Sequence, residues 1–540
     1  MSPRLGLAHR TFFVLSLLAA LIPMLFNSLE FIFLFLPVVW IIFHLLVRNR
    51  AAWAIPFLAF ASLLFYAWWD YRFVALLLAS VLANYLIGRV IVAGRIGRIE
   101  VARKSALIVG IAANLAAISY YKYANFFLDS LREVGLEGLP VVDILLPLGI
   151  SFYSFTQIAF LVDAYRGKAK EYKFSNYLLF VTYFPHLIAG PILHHGEMIP
   201  QFATQGRKFL QAKYLAAGLT VFAIGLSKKV LIADPLASLA SPVFEMSKTT
   251  DVSTLEAWVA SLAYTLQLYF DFSGYSDMAI GISLLFGIKL PINFNSPYKA
   301  TNIIDFWRRW HITLSRFLRD YLYIPLGGSR LGAIRRYVNL IITMLLGGLW
   351  HGAAWTFVIW GGLHGLYLTI NHAWRSLSVA AFLARTRWWA PVSLGITFLA
   401  VVSAWVLFRA ESADSAIRIL SAMAGRGKGL IIPVGMKPIV DAAGFDLGSW
   451  VVWGEVLGIS RGLVLIPPLL LAVWMLPNAQ DLFGSGRISI DTISREEPNG
   501  GVAGRVRWRP TVAWAAYAAL LFVASLSALN RASEFLYYQF

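Results

Sequence analysis

Apolar runs follow one another along this chain too closely for a water-soluble fold to bury them all. Those near residues 11–26, 29–47, 52–69, 73–88 and 105–121 approach or reach the length that crosses a hydrocarbon core of roughly 30 Å. Further runs lie near 141–163, 175–193, 213–233, 255–271, 274–288, 337–350, 353–373, 389–408, 461–477 and 511–529. Such a series predicts an all-α, polytopic helical bundle. Composition agrees: 59% of the 540 residues are hydrophobic and 14% charged, against about 25% charged in soluble proteins. The mean hydropathy is +0.68. The first run is followed at once by others, without a small-residue cleavage site before a soluble domain, so it reads as a spanning helix and not as a removable signal.

The net charge of +18 belongs to loops, not to a nucleic-acid surface. Arg48 and Arg50, then Arg89, Arg95, Arg98, Arg103 and Lys104, then Arg166, Lys168, Lys170 and Lys173 fall at alternate turns, which places those turns in the cytoplasm. The intervening segment, residues 124–140, carries Asp129, Glu133 and Glu137 against Arg132, and reads as external. Phe126, Phe127 and Leu131 give it the apolar face of a short interfacial helix. Breaks at Pro147, Gly149, Pro185, Gly190, Pro191 and Gly274 predict broken or re-entrant helices shielded by protein around a cavity. The chain reads as one integral-membrane domain over 1–540. Long loops are expected at 411–460 and, richer in basic residues, at 480–509, with membrane helices flanking the second within 461–540. No cysteine is present, which excludes disulfides, thiolate metal sites and a cysteinyl-acyl intermediate.

Residues 302–322, TNIIDFWRRWHITLSRFLRDY, are too charged to face lipid. On one helix, Asp305, Arg308, Arg309, Arg316, Arg319 and Asp320 would share an arc of about 120°, opposite Ile303, Phe306, Trp307, Trp310, Leu314, Phe317 and Tyr321. His311 falls outside the charged arc. The arginines can anchor the helix at headgroups, paired as Asp305 with Arg309 and Arg316 with Asp320, or meet the phosphates of an anionic donor. His351 sits in LLGGLWHGAAWTF, between Trp350 and Gly352, with no charged residue between Arg336 and Arg375. A histidine at such depth needs a partner or a polar cavity, and a neutral imidazole can take a proton from a hydroxyl. His364 would lie roughly 220° further round one continuing helix. Without HExxH or a short-spaced HxxxH, no metal site is expected. His186, His194 and His195 read as cavity-lining or capping residues, and Asp271 and Asp277 as brackets around a break at Gly274. No GxSxG, Walker motif or strand-borne GxGxxG occurs, so serine-hydrolase and nucleotide-hydrolysing readings fall away.

Several ordered patches resemble the membrane-bound O-acyltransferase family: LPLGISFYSFTQIAFLVDAYRG (146–167), YFPHLIAGPI (183–192), YFDFSGYSDMAIGISLLFGIKLPINFNSPY (269–298), FWRRWHITLSRFLRDYLYIPLGG (306–328) and LLGGLWHG (345–352). SLLFYAWWDYRF (62–73), YYKYANFF (120–127), WVLFRAESADSA (405–416) and FLYYQF (535–540) are similar to its bacterial alginate O-acetylation branch. The resemblance covers most of residues 50–410. It implies a bundle around a transmembrane tunnel in the bacterial inner membrane, His351 as the family's essential histidine and His311 as the second histidine of the bacterial branch. It also implies a short acyl group, acetyl from acetyl-CoA as co-substrate with no bound cofactor, passing toward an exported polysaccharide through a periplasmic partner acetyltransferase of the SGNH type. Arg308, Arg309, Arg316 and Arg319 then become candidate donor-phosphate contacts. Trp350, Asp320, His364, Asp271 and Asp277 become tunnel or structural candidates. D-alanyl or peptidoglycan O-acyl transfer with the same fold, and a transporter or flippase, are the alternatives.

Overall fold

The computed structural model describes residues 24–529, apart from 98, 137, 141, 143, 189 and the segments 170–172, 204–210, 435–436, 443–450, 455–458 and 484–506. Most of the expected first span, most of the basic loop and the FLYYQF end lie outside the described residues. Among the described residues, five helical stretches are long and apolar enough to cross a membrane: Phe31–Asn49, Ala51–Gly94, Glu100–Glu133, Ala212–Met246 and Trp389–Arg409. Helix dominates because a backbone in hydrocarbon has no water to satisfy its N–H and C=O groups, and the chain is an all-α polytopic membrane protein. The strands among the described residues form one small parallel ladder, Leu430–Pro433 with Val451–Gly454, inside the stretch read as the 411–460 loop.

The helices gather into two compact units. The first comprises Met1–Tyr121, Asp143–Gly218 and Ile282–Leu290. Its helices include α1 (Leu36–Asn49), α2 (Ala54–Asp70), α3 (Val74–Ile96), α4 (Glu100–Ile118), α5 (Ile150–Tyr165) and α6 (Phe174–Thr182). Asp70 ends α2 in extended backbone, and its carboxylate accepts the N–H of Arg72 at 3.0 Å, which turns the chain into α3. Gly149 starts α5 in a left-handed conformation (φ 69°), where its lack of a Cβ keeps it clear of the Leu187 carbonyl, so the sequence-predicted break near Pro147 and Gly149 is present. Rings of Phe26, Phe31, Phe35, Phe65 and Phe184 fill its core at centroid distances of 4.9–6.1 Å. Asn84 and Asn114 exchange amide hydrogen bonds of 2.7 and 3.3 Å between α3 and α4, polar glue of the kind membrane helices use where water is absent.

The second unit comprises Lys122–Val142, Leu219–Gly281 and Pro291–Phe540. In it, the later part of α7 (Ala212–Ser227) leads through a π turn, Lys228–Ala233, into α8 (Asp234–Met246). The next helix, α9, runs unbroken from Thr254 to Leu285. This corrects the two spans expected at 255–271 and 274–288, with their break at Gly274. Gly274 instead faces Gly225 of α7. A Cβ on either residue would come within 2.6–2.8 Å of the other's carbonyl oxygen, so the glycines mark a close helix crossing. The bracketing carboxylates serve the same crossing: Asp277 pairs with Lys228 at 2.6 Å, and Asp271 with Lys229 at 2.8 Å.

The remaining helices that position the site are α10 (Ile303–Arg309), α11 (Ile312–Leu318), α12 (Ala333–His351), α13 (Trp355–Trp374) and α14 (Trp389–Arg409). A Cβ on Gly348 of α12 would collide with the Phe357 carbonyl, and one on Gly361 of α13 with that of Met344. Gly361→Val is therefore expected to push α12 and α13 apart and to remove the monodisperse species from detergent extracts, as read by fluorescence-detected size exclusion. A wild-type elution profile would contradict this account of the crossing.

Candidate active site

The segment 302–322 does not form the single amphipathic helix that its periodicity predicts. It breaks between α10 and α11, where Trp310 is extended (φ −99°, ψ 129°) and His311 is left-handed (φ 41°, ψ 55°). An L-residue with a side chain pays for that conformation, so something must hold it. Asn293 and Asn295 do so. The N–H of Ile312 donates to the Asn293 carbonyl at 2.9 Å, the Thr313 hydroxyl donates to the Asn293 side-chain oxygen at 2.6 Å, and the N–H of Asn295 donates to the Arg309 carbonyl at 2.9 Å. The result sinks the His311 ring into the unit, fully buried. Burial lowers its pKa to about 3, so the ring is neutral.

His351 is the last residue of α12 and is also buried. The helix stops there because Gly352 is extended (φ −159°, ψ 153°), and α13 begins again at Trp355 after an extended Ala354. The centroids of the His311 and His351 rings lie 6.2 Å apart. Trp350 borders both, at 6.0 and 4.9 Å, Phe272 packs on His311 at 4.8 Å, and Trp360 and Phe408 each pack on His351 at 5.2 Å. The structure thus brings together two histidines forty residues apart in sequence inside an aromatic cage.

His364 belongs to the next layer of the same cage. Its ring is 4.8 Å from Trp360, and its Nδ1 accepts the indole N–H of Trp307 at 3.3 Å, which fixes the remaining proton of a neutral ring on Nε2. The other sequence candidates lie elsewhere in the unit. Arg308 is exposed, Arg309 pairs with Asp305 at 2.9 Å, Arg319 is exposed and pairs with Asp320 at 2.7 Å, and Arg316 is half-buried on α11. Asp271 and Asp277 are buried in the lysine pairs described above. A cavity of about 790 Å³ is lined by Asn302, Tyr367, Asn371, Arg375, Trp389 and Ser393 among others, and by none of those four arginines. Its wall residue Tyr367 lies 5.7 Å, ring to ring, from His364. Among the described residues, no three of His, Asp and Glu gather as metal ligands. In the first unit, His195 faces Asp163 at 3.5 Å, and a ring nitrogen of His186 lies 3.0 Å from the Phe180 carbonyl oxygen.

Two neighbours escaped the sequence reading. The Lys122 ammonium donates to the carbonyls of Trp350 at 2.6 Å and His351 at 3.2 Å, and the Tyr123 hydroxyl donates to that of Leu349 at 2.7 Å. The available signal was a lone cation between apolar residues in YYKYANFF.

A neutral, buried imidazole pair among aromatic walls suits proton transfer to or from a hydroxyl where water must be kept out. Comparison with known proteins agrees with that chemistry. Residues 141–410 match the model of the membrane-bound O-acyltransferase family, a stretch that contains His311, His351 and His364. A probable alginate O-acetylase of Azotobacter vinelandii is 40% identical over 96% of this chain and 100% of its own length. One of Pseudomonas aeruginosa is 46% identical over 74% of this chain and 75% of its own. A peptidoglycan O-acetyltransferase of Helicobacter pylori is 44% identical over 74% of this chain and 80% of its own. The chain belongs to the membrane-bound O-acyltransferase family. It is a multi-pass membrane enzyme that transfers acyl groups.

Proposed function

We propose that this enzyme moves an acetyl group from acetyl-CoA, presented at the cytoplasmic face of a bacterial inner membrane, toward an exported polysaccharide such as alginate. The observation that carries this reading is the pair of buried histidines 6.2 Å apart in an aromatic cage, within a chain similar over nearly its whole length to a probable alginate O-acetylase. In the step proposed, His351 removes the proton of the acceptor hydroxyl, and that oxygen attacks the thioester carbonyl carbon. The C–S bond then breaks, and the departing CoA thiolate recovers the proton. His311, held neutral, orients the carbonyl or shares the proton, while the aromatic walls exclude the water that would hydrolyse the thioester. The immediate acceptor is a serine of a periplasmic SGNH-type partner, which completes transfer to sugar hydroxyls. Similarity to the Helicobacter pylori peptidoglycan O-acetyltransferase supports a second acceptor, peptidoglycan.

The test is transfer of labelled acetyl from acetyl-CoA in membranes containing this chain, with and without the partner and each glycan. Label in alginate-type polymer supports the first acceptor and label in peptidoglycan the second. No label in partner or glycan, from folded protein, overturns the donor assignment. The arginines carry a separate prediction. Replacing exposed Arg308 and Arg319 together with Gln is expected to raise KM for acetyl-CoA by about 10-fold or more, the scale of lost charge-assisted phosphate contacts, with kcat largely kept. An unchanged KM would reduce them to membrane anchors.

A further inference from the structure

We infer that Lys122 is a positioning residue for acyl transfer: with Tyr123 it locks the end of the helix that carries His351. The last four carbonyls of any α-helix lack intrahelical partners, and inside a membrane no water replaces them. In α12 those of Leu349, Trp350 and His351 are taken by the Tyr123 hydroxyl and the Lys122 ammonium, at 2.7, 2.6 and 3.2 Å. One of the three belongs to the backbone of His351 itself. Lysine suits the place because it offers three donors and a positive charge at the negative end of the helix dipole. Its location is set by the π turn Ser119–Tyr123. A lysine that merely anchored the protein at headgroups would send its ammonium outward; this one turns it onto the helix end. Among the described residues no carboxylate pairs with it, and the hydrogen bonds it makes go to the two carbonyls at the end of α12.

The inference rests on the acyl-transfer reading, and the experiment separates the two. Wild-type transfer and its loss in His351→Ala are measured first, since their failure counts against the reading and not against the lock. In Lys122→Met, kcat for acetyl transfer is expected to fall about 10- to 100-fold, the scale of a small misplacement of a reacting group, with KM for acetyl-CoA nearly unchanged. Lys122→Arg restores most of the rate. Independently of activity, hydrogen exchange across residues 345–354 rises in Lys122→Met. Unchanged exchange overturns the lock. So does a kcat near wild type, a change confined to KM, or Lys122→Arg as impaired as Lys122→Met. Should Lys122→Met aggregate, Lys122→Gln, which keeps a donor without the charge, takes its place under the same criteria.

Discussion

His351→Ala is expected to lower acyl transfer by about 10²–10⁴-fold, the usual contribution of a positioned general base, while the protein stays in the membrane at wild-type amount. The ring touches Trp350, Trp360 and Phe408, so alanine leaves a small void and costs about 1–3 kcal/mol of stability. The helix end is held through backbone carbonyls that alanine retains. Loss of rate with retained fold would therefore report chemistry. His351→Gln sharpens the experiment, because glutamine fills much of the same space and cannot take up the proton. Labelled acetyl transfer beside size-exclusion profiles decides the matter, and a His351→Ala enzyme working at the wild-type rate would remove this histidine from the mechanism.

The second large effect concerns stability. Lys229 lies 2.8 Å from both Asp234 and Asp271, and none of the three side chains is more than 8% exposed. Lys229→Met leaves two carboxylates buried near each other without their cation, a change expected to cost about 3–5 kcal/mol. Lys228→Met is expected to cost less, since Asp277 also accepts from Gln480 at 3.1 Å and Lys228 is the more exposed of the two lysines. Thermal unfolding in detergent ranks the variants. Adding Asp271→Asn to Lys229→Met should recover part of the loss. If the double variant is no better than the single one, the ion pairs are not what holds α9 to the turn after α7.

Much of this was legible in the residues. Long apolar runs announce membrane helices because lipid leaves the backbone few alternatives, and a histidine deep in such a run, as in LLGGLWHG, already asks for an explanation. The misses share a different physics. Gly274 reads equally as a break or as a place where two backbones approach, and only its neighbour Gly225 decides between them. The turn at His311 has no local signal: a left-handed residue is announced by glycine, whereas here distant Asn293 imposes it. Period-3.6 patterning could not see that break, because α10 and α11 each keep an apolar side. The ion pairs of Lys228 and Lys229 were likewise invisible, since Asp271 and Asp277 come from another part of the chain.

The π turns at Ser119–Tyr123 and Lys228–Ala233 make chain length itself part of the design. A π turn holds one residue more than the α-helical turn it replaces while completing about the same rotation, so it absorbs the extra residue locally. Deleting one residue from either turn would restore ordinary pitch and remove the widened turn itself, the stretch that holds Lys122 in one case and Lys228 and Lys229 in the other. At these two places many substitutions should be forgiven, and a single deletion should cost the lysine contacts first.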